Sequence, residues 1–245
     1  MLLLLALPAF ATWSIAAVDP DTGEVGVAGA TCGPMVWFIA GLAPGQGAVA
    51  AQYATWGKGR DAIVEALADG ATPEEALDLG TDDDPHPELR QWGVVGFAGP
   101  AVALTGDDVE APARTELGGT WSVQGNTLAG ELVVDTASIA MLETEGDPLA
   151  ERLLTALERG AAEGGDARCD PADAAKSAFL YVALPDDAPH EPAVEIRASG
   201  AGAVAKVRAA FDEGRMSCAV TPGAPPAAVL LAIGVLLAGR RRGIT

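Results

Sequence analysis

The residue with the clearest potential for chemistry is Thr12, which directly follows a stretch with the pattern of an export signal. Residues 2–11 are apolar and end in Ala9-Phe10-Ala11, the small-x-small pattern that a signal peptidase accepts. Cleavage after Ala11 would leave Thr12 with a free α-amine, which titrates near ~7.7–8.0 and is partly neutral at working pH. One residue would then carry both a nucleophilic hydroxyl and its own base. The alternative is that Thr12 is simply the first residue of the mature protein.

Other catalytic and ligand-binding patterns are weak. The sequence has no Gly-x-Ser-x-Gly turn, and His86 and His190 stand in Pro-rich acidic loops with no serine partner nearby in sequence. No cysteine has CxxC or Cys/His spacing, so we expect no zinc site. We also expect no other metal and no cofactor. The glycine-rich loop 41–47 lacks the Gly-Lys-Ser/Thr of a phosphate cradle. The acidic run 81–88 lacks the spacing of a calcium-binding EF-hand, and we interpret it as a solvated loop.

The element that must position Thr12 is a strand over residues 12–18. Residues 19–23 have turn chemistry and residues 24–30 alternate again, so the first two strands should form a hairpin. Alternation places Thr12 and Ser14 on one face of the first strand, while Trp13 and Ile15 take the other and pack into a core layer.

The rest of the chain alternates between groups of strands and groups of helices. Thr72 and Glu75 form a capping box, and Asp147 is expected to cap a later helix. Tight hairpins favour antiparallel sheets, so the order predicts an α+β fold with two sheets stacked between helical layers. The further predicted strands are 48–53, 92–97, 101–105, 121–124, 179–184 and 193–198, and the predicted helices are 60–69, 73 onward, 131–143, 148–159 and 202–212.

Composition limits the classes of partner. The 245 residues are 49% hydrophobic and 20% charged, which is enough apolar content for one sizeable packed domain. The formal net charge of -19 argues against a nucleic-acid partner, because phosphate binding requires clustered Lys and Arg.

The C-terminal region has the pattern of a membrane anchor. Residues 227–238 form an uninterrupted apolar run, and Arg240-Arg241-Arg242 follows at once. Basic residues after the run would stay cytoplasmic and leave the domain outside, in agreement with the signal at the front. The alternative is a buried C-terminal helix. Three cysteines, one of them unpaired, also fit an oxidising compartment.

An ordered set of motifs runs from residue 12 to residue 184. It comprises TWSIAAVDPDTGEVGV at 12–27, GAVAAQ at 47–52, RQWGVV at 90–95, TG at 105–106, WSVQGN at 121–126 with Leu128 and Gly130, and GGDAR at 164–168. This set resembles domain-of-unknown-function family ten twenty-eight, an uncharacterised group that is similar to N-terminal-nucleophile (Ntn) hydrolases. The sequence departs from the family pattern at Cys169, which replaces Gly, and at Lys176, which replaces Gln.

The resemblance implies a four-layer αββα sandwich of Ntn-hydrolase type, with mostly antiparallel sheets and with Thr12 at the mouth between them. Asn126 would donate a hydrogen bond from its side-chain amide to the oxyanion. Asp166 and Arg168 would orient the terminal amine and a substrate carboxylate. The alternatives are a turn role for Asn126 and a loop-stabilising ion pair between Asp166 and Arg168.

A second candidate nucleophile is Thr120. The segment GGTWS at 118–122 echoes Thr12-Trp13-Ser14, and a Gly–Thr bond is where some Ntn enzymes cleave themselves. The echo is short, and the opening strand matches the family better.

The C-terminal tail resembles the myxobacterial C-terminal sorting signal, with Cys218, a Pro-rich spacer, an apolar helix and an Arg cluster. In that case Cys218 would be a processing or attachment point, and Cys32 would pair with Cys169. The alternative is that Cys218 pairs with one of the other two.

The sequence therefore predicts an exported N-terminal-threonine amide hydrolase at the cell surface or in the periplasm. Its parts would be a signal peptide at 1–11, a domain at 12–214, a spacer at 215–226 and a hydrophobic anchor at 227–245. The expected partners are a small amide or peptide-like substrate, the membrane through the C-terminal segment, a sorting protease and further copies of the chain. The alternative is a catalytically inactive, surface-anchored binding or structural module on the same fold.

Overall fold

Two antiparallel sheets form the centre of the structure, a computed structural model that describes residues 12–170 and 172–219. The six-stranded sheet has the order β10-β9-β2-β1-β8-β7, and the four-stranded sheet has the order β3-β4-β5-β6. The strands are β1 Thr12–Val18, β2 Val25–Thr31, β3 Ala40–Ala43, β4 Gly47–Tyr53, β5 Arg90–Gly96, β6 Gly99–Thr105, β7 Arg114–Leu117, β8 Trp121–Asn126, β9 Ser177–Ala183 and β10 Val194–Ser199.

Helices cover the outer face of each sheet. Helices α1 (Gly57–Ala68) and α2 (Pro73–Thr81) lie on the four-stranded sheet. Helices α3 (Leu132–Glu143), α4 (Leu149–Ala162) and α5 (Ala203–Ala219) lie on the six-stranded sheet. The described residues therefore form the predicted four layers of an α+β sandwich.

Strand β1 shows why the layers form, because its two faces enter different apolar clusters. Trp13 and Ile15 are fully buried among residues of α3 and α4. Ala16 and Val18 are buried in the cluster between the sheets. The predicted division of the strand into two faces is confirmed.

Local signals that the sequence carries are present in the structure. Gly23 in the β1–β2 turn has a φ of 74°, a conformation that glycine adopts without strain, and its N–H donates to Asp19 O at 2.8 Å. The capping box before α2 is complete, with Glu75 N donating to Thr72 Oγ1 at 3.2 Å and Thr72 N donating to Glu75 Oε2 at 2.9 Å. The predicted turn and cap are confirmed.

The hydrogen-bond partners of two acidic side chains differ from the predictions. Asp147 does not cap α4, because Pro148 occupies the N-cap position and no side-chain cap hydrogen bond is made. The loop 81–88 is not simply solvated, since Asp84 is buried and both of its carboxylate oxygens accept from Arg90 at 2.9 Å. A buried ion pair holds this loop on the start of β5.

Three further segments differ from the predicted secondary structure. The glycine-rich segment 41–47 is half strand, because Ala40–Ala43 pairs with the first residues of β4. The short strand β7 lacks a clear alternation and was not predicted. Helix α5 continues to Ala219, beyond the expected end at residue 212, and Arg215 pairs with Glu151 of α4 at 2.9 Å.

The predicted signal at 1–11, most of the spacer and the apolar run at 227–238 lie outside the described residues. Within the part of the chain that the structure describes, no helix is long and apolar enough to cross a membrane.

Candidate active site

Thr12 lies at one end of the sandwich, between the two sheets. It is the first residue of β1, where it stands opposite Thr31 of β2 and opposite Asn126 of β8. Residues directly opposite in an antiparallel pair carry their side chains on the same face, so Thr31 and Asn126 flank Thr12. The residue is 1% exposed, and its carbonyl oxygen accepts a hydrogen bond from Gln52 Nε2 at 3.3 Å.

Towards this end the layer between the sheets changes from apolar to polar. Gln52 follows Ala48 and Ala50 on the inward face of β4, and Gln91 precedes Val95 on the inward face of β5. The layer there consists of buried side chains that hydrogen-bond across the sheets, namely Ser14, Gln52, Gln91, Ser122, Gln124 and Asn126.

These side chains form a continuous hydrogen-bonded chain, which we call the amide chain. Ser122 Oγ donates to Gln124 Oε1 at 2.5 Å, and Gln124 Nε2 donates to Ser14 Oγ at 2.6 Å. Ser14 Oγ donates to Gln52 Oε1 at 2.6 Å, and Gln52 Nε2 donates to Gln91 Oε1 at 2.7 Å. Fully buried polar groups are tolerated when they are paired in this way.

Asp166 and Arg168 form a second polar group beside the end of β2. The buried Asp166 carboxylate accepts from Cys32 N at 2.5 Å and from Arg168 at 2.7 Å and 3.0 Å. Thr31 Oγ1 lies 3.3 Å from Asp166 Oδ2, which links this group to the strand residue opposite Thr12. The contacts fit the loop-stabilising ion pair that the sequence left open.

A disulfide closes the same region. Cys32 directly follows β2, and its Cα lies 5.4 Å from the Cα of Cys169, to which it is bonded. The pairing predicted for these two cysteines is confirmed. The bond and the Asp166 carboxylate together hold the segment 166–169 against the end of β2.

Unusual backbone conformations concentrate at this end of the sandwich. Tyr53 directly follows Gln52, Thr127 directly follows Asn126, and Ala174 O accepts from Asp166 N. All three have positive φ, at 69°, 48° and 52° respectively. Non-glycine residues adopt this conformation rarely, and such outliers cluster at functional sites in proteins.

The structure thus brings the four predicted site residues to one end of the fold. Thr12 and Asn126 are neighbours in the sheet, while Asp166 and Arg168 reach this end through Thr31. The alternative nucleophile Thr120 is remote, because its carbonyl accepts from the N–H of Val18 at the far end of β1. A seven-residue strand separates the two ends by about 20 Å.

Sequence reasoning missed Gln52 and Gln91 as members of the site. The available signal was a single amide side chain on the inward face of each of two otherwise apolar strands. In the described residues, no group of three or more His, Cys, Asp or Glu side chains could hold a metal ion.

The fold and the site define an α+β sandwich protein with a buried polar site between its sheets. The sequence model of a family of unknown function, DUF1028, matches residues 12–204, and the chain belongs to this family. The structure is similar to the crystal structure of protein SPO2555 from Silicibacter pomeroyi, which is also assigned to DUF1028. The two share 24% sequence identity with a TM-score of 0.71, over 83% of this chain and 89% of that chain. No curated protein matches the chain.

Proposed function

We propose that the protein is an exported amide hydrolase of the Ntn type, with Thr12 as its nucleophile and a small amide or peptide-like substrate. The observation that carries the proposal is the position of Thr12, at the start of β1 and at the polar end of the layer between the sheets. The family match also begins at residue 12, which supports this threonine as the first residue of the working domain.

In the proposed reaction, the Thr12 hydroxyl attacks the carbonyl carbon of the amide. The hydroxyl proton passes to the α-amine of Thr12, directly or through one water, and then to the departing amine as the C–N bond breaks. The acyl group remains on Thr12 Oγ1 as an ester. Water then attacks this ester and gives a proton to the same α-amine, which passes it to Thr12 Oγ1 as the ester C–O bond breaks and the acid leaves.

Asp166 and Arg168 enter the proposal as positioning residues. Their contacts run to Thr31 and to the N–H of Cys32, so they hold the end of β2 beside Thr12. Replacing either partner would leave a buried charge or an unpaired polar group at this end of the strand.

Export and surface attachment form the second part of the proposal. The disulfide between Cys32 and Cys169 supports an oxidising compartment, because such bonds are rare where glutathione keeps thiols reduced. We place the domain at the cell surface or in the periplasm, anchored by residues 227–245, with Cys218 as the point that a sorting protease would process.

The alternative function is an inactive binding or structural module on the same fold. It is favoured by the Asp166 carboxylate, whose two oxygens are already occupied by hydrogen bonds from its own loop and from β2.

The test begins with intact-mass analysis of the exported protein, which should show a chain that starts at Thr12. A screen of small amides and acyl-amino acids should then give turnover that Thr12→Ala abolishes and Thr12→Ser partly retains. Thr120→Ala is the matched control and should retain full turnover. A chain with another first residue, or no turnover by the parent, would favour the inactive module. Equal turnover by Thr12→Ala and the parent would favour Thr120 as the nucleophile.

A further inference from the structure

The orientation of the buried amides at the site is fixed by main-chain carbonyl groups. Gln91 Nε2 faces Gly125 O at 3.0 Å and Arg114 O at 3.4 Å, and a carbonyl oxygen can only accept a hydrogen bond. The nitrogen of Gln91 must therefore point to these carbonyls. Its Oε1 must point the other way, towards Gln52 and Asn126.

The orientation of the Gln91 amide determines the orientation of the neighbouring side-chain amides. Its Oε1 is an acceptor, so Gln52 and Asn126 must both present their nitrogens to it, at 2.7 Å and 3.1 Å. Gln52 Nε2 also faces Thr12 O, a second carbonyl that requires the same orientation. Three main-chain carbonyl groups, those of Gly125, Arg114 and Thr12, thus agree on one direction for the whole amide chain.

Asn126 is left with an acceptor at the site and no partner for it. One hydrogen of its Nδ2 is donated to Gln91, and its Oδ1 is buried without a hydrogen-bond partner among the described residues. The hydroxyl of the next residue, Thr127, is also buried and has no partner in the part of the chain that the structure describes. Buried polar atoms without partners are rare in folded proteins, and two adjacent ones indicate a place where another molecule supplies the missing donor.

The position of Asn126 indicates which donor that is. It stands opposite Thr12 across β1 and β8, with side chains on the same face and Cβ atoms about 4.5–5.5 Å apart. A group bound at Thr12 is therefore within reach of the Asn126 side chain.

We infer that Asn126 Oδ1 accepts a hydrogen bond from an N–H group of the bound ligand, so that the site selects primary and secondary amides. The inference rests on the proposed function for its reaction step, in which the N–H belongs to the departing amine. It adds an acceptor role to the expected donation to the oxyanion, because the Nδ2 group of Asn126 carries two hydrogens and Gln91 accepts one of them.

Two substrates that share the same acyl group distinguish an acceptor role of Asn126 at the leaving group from a donor role at the oxyanion. The 4-nitroanilide carries an N–H on the leaving side, whereas the 4-nitrophenyl ester carries an oxygen there, and both form the same oxyanion. With Asn126 as the acceptor, Asn126→Leu should lower kcat/KM for the anilide about tenfold more than for the ester. Equal losses for the two substrates would identify a donor to the oxyanion and would overturn the inference.

Gln91→Met provides a second variant that keeps Asn126 and removes the atom that orients it. It should lower the same anilide-to-ester ratio, by a smaller factor. Circular dichroism melting of both variants checks that they fold.

A binding measurement keeps the inference independent of turnover. N-methylacetamide and methyl acetate differ mainly by an N–H in place of an oxygen, and each can be titrated into 15N-labelled protein that begins at Thr12. The amide should shift the side-chain resonances of Asn126 more than the ester does, and Asn126→Leu should abolish its binding. If neither chromogenic substrate is hydrolysed but the amide still shifts Asn126 more than the ester does, the proposed hydrolysis is contradicted and the inference on Asn126 is supported. Equal shifts, or none from either compound, would overturn the inference.

Discussion

The side-chain nitrogen of Gln52 donates a hydrogen bond to the carbonyl oxygen of Thr12 at 3.3 Å. The same nitrogen donates to Gln91 at 2.7 Å, so one amide joins the first strand of the six-stranded sheet to the middle of the other sheet. The placement of Thr12 therefore depends on a residue that is 40 positions away in the sequence.

Replacing Gln52 with methionine should destabilise the protein by about 1–3 kcal/mol, because Ser14 and Thr12 would each lose a buried hydrogen-bond partner. Denaturant unfolding measures the change. Gln46→Met is the matched control, since Gln46 is exposed in a turn and should tolerate the same replacement. Equal unfolding midpoints for the two variants would contradict a structural role for the amide chain.

Gly93→Ala should be strongly destabilising. A Cβ at this position would lie 2.1 Å from Gln124 Oε1 and 2.5 Å from Ser122 Oγ, so the amide chain would have to shift. Overpacking of this kind costs about 1–3 kcal/mol or more. In Gly119→Ala the new methyl group meets nothing within 4 Å, and that variant should unfold at nearly the parent's denaturant concentration.

Breaking the disulfide should lower the free energy of unfolding by about 2–5 kcal/mol, because the bond constrains an unfolded chain over 137 residues. A reducing agent should lower the melting temperature of the parent and of Cys218→Ser by similar amounts. It should leave the melting temperature of a Cys32→Ser/Cys169→Ser variant unchanged. A large shift in that double variant would show that the reductant acts elsewhere.

The phenol of Tyr181 should lose its proton at a higher pH than an ordinary tyrosine. Burial raises its pKa to about 12, against a smaller lowering by the neighbouring Arg197. The folded state therefore holds the proton more tightly than the unfolded state, where tyrosine titrates near about 10. The stabilisation is complete below about pH 10 and is lost as the pH rises towards about 12.

Ultraviolet difference titration and unfolding at several pH values would measure both effects. Tyr181→Phe should remove the late transition and most of this loss of stability, leaving only Tyr53, whose pKa is also raised by burial. Titration of Tyr181 near pH 10 in the folded protein would contradict the assignment.

The sequence predicts those features that depend on local pattern. Alternation alone divides β1 into a face with Trp13 and Ile15 and a face with Ser14, and the Thr72–Glu75 spacing alone identifies a helix start. The pairing of Cys32 with Cys169 followed from the resemblance of the tail to a sorting signal, which set Cys218 apart from the other two cysteines.

Features that depend on the stacking of the sheets were not predictable in the same way. Alternation places Gln52 on an inward face, but its partner Gln91 lies in a strand of unknown register until the sheets are assembled. The direction of the Asn126 amide depends on Gly125 O, a main-chain atom that no side-chain pattern reports. The sequence predicts a solvated Asp84, because no local pattern shows that Arg90, the first residue of the next strand, forms an ion pair with it.

The strand order has a consequence for how the chain folds. The hairpin of β1 and β2 is made first during synthesis, yet it ends up in the middle of the six-stranded sheet. The strands that pair with the outer edges of this hairpin are synthesised much later, since Thr12 pairs with Asn126 of β8 and Val27 pairs with Tyr181 of β9. Pairings over such sequence distances are slow to form. Both outer edges of the hairpin therefore stay unpaired at first, and the site around Thr12 is completed only when the chain has been made as far as Asp166 and Arg168.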